Sequence, residues 1–180
     1  MPYICTMNET TTYNKDTFET SEKFLKGKSI EKEFSEILTR EGYIVEDATR
    51  EEDMLLHVDI WATTAAGKRF GIDVKGIKFG DENRIIVELK NPVGNIGWLF
   101  GKQSFVAFET EDYFILVQRD KLCILTAKLL IDETFLVESY DRMPLYKKLN
   151  FTQNKSELVK LKLIDVLTIA TKIFRKNLLI

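Results

Sequence analysis

Apolar residues recur along this chain with two different periods. From Ser29 to Gly42, Ile30, Phe34, Ile37 and Leu38 return at intervals of three and four, which predicts a helix of about three turns. Ser29 is a candidate cap at its start, and Gly42 stands where a helix stop belongs. After the strand-like YIVED and a polar, acidic loop ATREED, the period changes to two. In MLLHVDIWAT, Leu56, Val58 and Ile60 alternate with His57 and Asp59; in RFGIDVKGI, Phe70, Ile72 and Val74 alternate with Asp73 and Lys75. The intervening TAAGK predicts a tight hairpin. IIVEL, SFVAFE and YFILVQ, rich in Ile, Val and Phe, predict three further strands. RDKLCILTAKLL returns to helical spacing with Asp120 as a candidate cap, whereas MPLYKKLNFTQNKSE has no period and reads as irregular. Near the end, Val159 to Leu163 alternates like a short strand, and LIDVLTIATKIF has the spacing of a helix from about Asp165. Helix, strands, helix, strand, helix in that order predicts an α/β (α+β) fold, a mixed central sheet flanked by helices.

Residues 1–24 are polar, rich in Thr, Glu and Asn, and read as a flexible N-terminal arm; residues 25–180 are then a single domain. With 44% apolar and 30% charged residues the chain has the make-up of an ordinary globular protein. No window approaches the roughly 18 apolar residues of a membrane span, and the start lacks the basic-then-apolar order of a signal peptide, so a cytoplasmic protein without a membrane partner is expected. Cys5 and Cys123 are isolated and read as reduced and incidental. The net charge of -2 is unevenly spread: Lys+Arg against Asp+Glu is 7 against 14 in residues 1–60 and 9 against 2 in residues 142–180. The basic tail suits a phosphate backbone and, equally, a solvated edge balancing the acidic first third.

Charge inside the apolar runs calls for a chemical reason. Successive strand residues face opposite sides, so Asp73 and Lys75 share one face, and Asp59 projects from the neighbouring strand of the hairpin. Burying such charges costs several kcal/mol apiece unless each is paired or binds a metal. A hard divalent cation resolves that cost, since Mg2+ accepts one or two carboxylates plus waters and phosphate oxygens. Asp59 and Asp73 would supply carboxylates, the Val74 carbonyl a further oxygen, and Lys75 would hold a metal-polarised water: a phosphodiester-cleaving arrangement. Glu31, three and seven residues from Phe34 and Leu38, borders the core-facing stripe of its helix and would reach over the sheet.

The succession GKSIEKEFSEILTREGY, HVDIW, GIDVKG resembles the PD-(D/E)XK nuclease superfamily, and the helix with its preceding Gly is similar to that of archaeal Holliday-junction resolvases and small phage-encoded relatives. The resemblance covers about residues 27–78. It implies a restriction-endonuclease-like sheet, Glu31 as the helix acid, Asp59 as the motif's first Asp, Asp73 and Lys75 as its second acid and lysine, and Mg2+ or Mn2+ as cofactor. The activity implied is a metal-dependent DNA endonuclease on branched, phage or repair DNA, with a homodimer as the paired form by analogy. Two departures stand out: Val58 replaces the motif's Pro, and the second acid is Asp, one methylene shorter than Glu.

An acid-x-Lys triplet arises by chance about once in 180 residues, and Glu88-Leu-Lys90 is a second one here. The first is preferred because Asp59 precedes it across the hairpin and Glu31 on a helix before that. His57, Lys78, Lys102 and Gln103 are candidate contacts to nucleic acid, together with Arg84 and Lys90. Trp98, in the Gly-punctuated NPVGNIGWLFGK, is expected to anchor its loop, with a stacking platform as the alternative. The competing function is a catalytically inactive module of the same fold that binds nucleic acid or a protein.

Overall fold

The computed structural model describes residues 22–76, 83–138 and 143–176. Residues 1–21 of the expected arm and the terminal NLLI lie outside them. The first helix, α1 (Glu22–Arg40), begins before Ser29 and runs through Gly27, so Ser29 is not its cap. Its buried face is the one the spacing predicts: Ile30, Phe34, Ile37 and Leu38. Phe34 is fully buried and meets Phe114 at 4.7 Å and Phe174 at 5.5 Å between ring centroids. Truncating such a ring costs about 3–5 kcal/mol.

Among the described residues the fold is mixed α and β, with four helices and ten strands in two mixed sheets. The elements after α1 are β1 (Ile44–Asp47), α2 (Arg50–Leu56), β2 (Ile60–Thr63), β3 (Arg69–Lys75), β4 (Arg84–Lys90), a 3-10 turn (Trp98–Phe100), β5 (Phe105–Glu109), β6 (Tyr113–Gln118), α3 (Arg119–Leu129), β7 (Ile131–Val137), β8 (Lys147–Phe151), β9 (Glu157–Lys162), α4 (Leu163–Leu167) and β10 (Ala170–Arg175). The larger sheet has the order β1-β2-β3-β5-β6-β10, with β3 and β5 parallel and its other pairs antiparallel. The smaller has the order β4-β9-β8-β7.

The predicted hairpin is present, with Ile60 opposite Ile72 and Ala62 opposite Phe70. Phe70, Ile72 and Val74 of β3 join Ile60, Ala62 and α1 in one buried cluster. The opposite face of the sheet, carrying Val106, Phe108, Ile115 and Val117, packs against β4 and β9 of the smaller sheet, with Leu122 of α3 and Val166 of α4. The central sheet is thus flanked by a helix on one side and mainly by a second sheet on the other, where helices on both sides were expected.

Three stretches differ from the sequence expectation for physical reasons. ATREED, expected as a loop, opens α2: Thr49 accepts from the Glu52 N–H while the Glu52 carboxylate accepts from the Thr49 N–H, and this capping box holds a helix with no buried residue. Met54 to Leu56 therefore finish a helix instead of starting a strand. The expected C-terminal helix ends at Leu167, and ATKIFR forms β10 along the otherwise open edge of β6. The expected irregular stretch contains β8, which pairs with β7 and β9. No helix among the described residues is long and apolar enough to cross a membrane.

Candidate active site

Asp73 and Lys75 occupy the face of β3 turned away from α1. Asp73 is buried, 1% exposed. The Lys75 ammonium lies 2.5 Å from Asp73 Oδ1 and 5.4 Å from the centre of the Trp98 ring. Asp59 stands just ahead of β2, where the antiparallel ladder continues through its N–H to the Ile72 carbonyl at 2.9 Å. Its carboxylate Oδ2 accepts from the Val74 N–H at 2.7 Å. The hairpin thus fixes both acids by backbone geometry, which is more exact than rotamer choice alone.

The Asp59 carboxylate lies near enough to Asp73 to disfavour a second negative charge there, and the buried Asp73 Oδ2 has no hydrogen-bond partner. Burial first, then the Asp59 charge, pushes the Asp73 carboxyl up to about 8, with Lys75 pulling the other way. For Lys75, burial acts to lower its pKa, but the charges of Asp73 and Asp59 outweigh it and the ammonium is held above its ordinary value. Lys75 is therefore a positively charged group at neutral pH.

Glu31 projects from α1 and is bonded by Lys28 at 2.6 Å. Burial, followed among the raising influences by the Asp59 charge, holds Glu31 above the usual carboxylate range. It borders the pair without entering it. A groove of about 720 Å³ between α1 and β1, lined by Lys28, Glu31, Lys32, Ser35, Asp47 and Ala48, meets the site only at this margin.

Sequence reasoning missed Asp53. It lies on α2 and is held above its ordinary value, first by burial and then by the Asp59 charge, with Lys28, Lys75 and His57 acting against the shift. Its signal was the Thr49-x-x-Glu52 capping box, which turns a polar stretch into a helix and brings Asp53 round to the acids.

The remaining candidates divide. His57 caps α2 in a left-handed conformation, φ 55°, instead of sharing a strand face with Asp59. Its imidazole is depressed first by burial and then by the Lys75 charge, so it borders the site as a neutral ring. Lys102 is exposed, and its N–H bonds the Leu56 carbonyl at 2.8 Å. Gln103 is 1% exposed and donates to the Trp98 carbonyl at 2.6 Å, so it is a buried brace and not a surface contact to a sugar or base. Lys78 lies outside the described residues. Val74 pairs with Ala107 of β5 and gives its N–H to Asp59. The competing triplet lies in the smaller sheet, where Lys90 pairs with Glu157 at 2.5 Å. Trp98 is buried against Phe108 and anchors its turn. Several tail cations are engaged by acids: Lys147 by Glu133, Lys172 by Glu41 and Lys176 by Glu109.

Among the described residues no three His, Cys, Asp or Glu side chains stand together closely enough to enclose an ion by themselves. The donor set is two facing carboxylates, one with an orphaned buried oxygen. Mg2+ accepts one or two carboxylates and fills its other positions with water and substrate oxygens. In number and kind of donor, then, the residues fit such an ion. Comparison with family models, with characterised proteins and with solved structures finds no match to this chain.

Proposed function

We propose that this protein is a metal-dependent nuclease of the PD-(D/E)XK type, with a restriction-endonuclease-like sheet, hydrolysing phosphodiester bonds of nucleic acid, DNA being the expected substrate. The observation that carries this reading is the buried Asp73 carboxyl, set between a second carboxyl and a charged lysine at the end of a central strand, with one oxygen lacking any donor. An acid so placed weakens the folded state unless a cation completes it.

Asp59 and Asp73 would hold Mg2+ or Mn2+, which when bound supplies Lewis-acid polarisation of the phosphate and an acidified water. Lys75 keeps its proton and donates to a non-bridging phosphate oxygen as negative charge grows there. The Trp98 ring beneath it limits where the ammonium can swing. Glu31 and Asp53 add negative potential at the margin, favouring cation binding and holding outer water molecules. His57, neutral, is available to accept a proton.

The absence of a three-acid cluster among the described residues, together with the closed Asp73–Lys75 pair, favours a second reading, an inactive nuclease-fold module that binds nucleic acid. A screen of supercoiled, linear, single-stranded and four-way-junction DNA with Mg2+ or Mn2+ separates the two. Cleavage that chelation abolishes supports the nuclease; binding without turnover supports the module.

A further inference from the structure

The acids around Asp59 meet two ammonium groups from different elements. Lys75 lies on Asp73 at the buried end of the site, and Lys28, one turn before Glu31 on α1, lies 2.6 Å from Glu31 Oε2 at its open margin. Residues three apart share a helix face, and an exposed pair of this kind contributes little to stability. Its position gives it another use. The Glu31 side chain is only 20% exposed, and Lys28 reaches over it from the solvent side. Both line the groove between α1 and β1 together with Asp47 and Ala48. The Ala48 N–H bonds the Asp59 carbonyl at 2.9 Å, and the carbonyl of the next residue, Thr49, accepts from the Asp53 N–H at 3.0 Å. The helix pair therefore faces the segment that carries two further acids. Burial works against the Lys28 charge, and the bond and charge of Glu31, then the charges of Asp59 and Asp53, more than offset it.

Nucleases that use two metal ions hold them about 3.5–4 Å apart. Among the described residues no three His, Cys, Asp or Glu side chains stand together to build such a pair of sites. Once Asp59 and Asp73 hold one ion, Glu31 is the carboxylate left for a second, and that ion would have to take it from Lys28. An ammonium tethered to the same helix already supplies positive charge at that point, with no hydration shell to shed.

We propose that the Lys28 ammonium, held on Glu31, stands in the place of a second cation, so that the site takes up a single divalent ion on its Asp59–Asp73 side. This rests on the nuclease-fold reading for the first ion but not on cleavage.

The test counts ions without turnover: Mn2+ is titrated into the full chain, free of nucleic acid, and the unbound ion is followed by its electron paramagnetic resonance signal. The parent is expected to bind one Mn2+. Lys28→Met keeps the aliphatic stem and a good helix former while removing the charge, and should bind a second Mn2+ at least about tenfold more tightly than the parent does. Lys28→Met combined with Glu31→Gln should lose that second ion, and Lys28→Arg, which keeps the charge, should match the parent. Lys32→Met, which removes a cation from the same groove outside the pair, should also match it. Thermal unfolding of each variant in EDTA checks the fold. Two ions in the parent, a single ion in Lys28→Met, an equal gain in Lys32→Met, or a second ion that survives the loss of Glu31 each overturns the proposal. No ion bound by the parent removes the metal reading and this proposal together. A second ion gained in Lys28→Met, with no cleavage of DNA by the parent or the variant, supports the role of Lys28 and removes the nuclease; cleavage by both with one ion in each does the reverse.

Discussion

Replacing Asp73 with asparagine removes a charge from the core and almost no volume. The folded protein holds this carboxyl's proton up to about pH 8, against an ordinary value of 3.8, because burial and then the Asp59 charge penalise the ionised form. At pH 7 the unfolded chain has released that proton and the folded chain has not. The gap between 3.8 and 7 is about three pH units, which at about 1.4 kcal/mol per unit is on the order of 4 kcal/mol lost from stability. The sign follows from a raised folded-state value: the contribution of Asp73 to stability is fully present below about pH 4 and is lost as pH rises through about 8. Asparagine does not titrate, and its side-chain oxygen can still accept from Lys75. Asp73→Asn should therefore match the parent near pH 4 and exceed it at pH 8 by several kcal/mol, about 10 °C in Tm for a chain of this length. Thermal or urea unfolding in EDTA at pH 4, 6 and 8 measures this. Parallel pH profiles for the two proteins, or a less stable variant at pH 8, would refute the claim that Asp73 is a strained buried acid.

Saturating Mg2+ or Mn2+ should raise the Tm of the parent, by about 2.7 kcal/mol of stability at a hundred times Kd, and leave Asp73→Asn nearly unmoved; equal shifts in both would place the ion elsewhere. Thr49→Ala removes the side-chain half of the capping box on α2 and should cost about 1 kcal/mol in urea unfolding, while weakening cation affinity through the loosened Asp53. Gly97→Ala drives a methyl into the backbone of Glu88 and Leu89 and should cost about 1–3 kcal/mol or more, with a shift in tryptophan emission as Trp98 loses its seat. Gln103→Ala breaks the bond to the Trp98 carbonyl and should lower stability by about 1–2 kcal/mol, read by the same emission.

The hairpin and its acids were legible because a period of two is hard to mistake when charged residues interrupt it: Ile60 and Ile72 had to share a face, and Asp59, Asp73 and Lys75 could not all face the core unpaired. The core face of α1 was legible for the same kind of reason. What escaped had weak or shared patterns. α2 buries no residue, so its only mark is the cap, and Asp53 went unnoticed with it. ATKIFR fits a helix as well as an edge strand, and the open side of β6 decides between them. β7 exposes the adjacent Phe135 and Leu136 and buries Val137 at its end, so it shows no alternation to read. Gln103 read as a contact to nucleic acid because it is polar and adjoins Lys102; the structure leaves Lys102 and Ser104 exposed and turns Gln103 inward to brace Trp98.

Single-turnover cleavage of a labelled oligonucleotide in Mn2+, comparing the parent with Asp73→Asn and Lys75→Ala, decides whether the Asp73–Lys75 pair carries out phosphodiester hydrolysis. The expected result is cleavage by the parent that EDTA abolishes and each substitution lowers by two orders of magnitude or more, the scale of losing one electrostatic contributor to a transition state. Cleavage that survives unchanged in both variants, although each is folded, would contradict it.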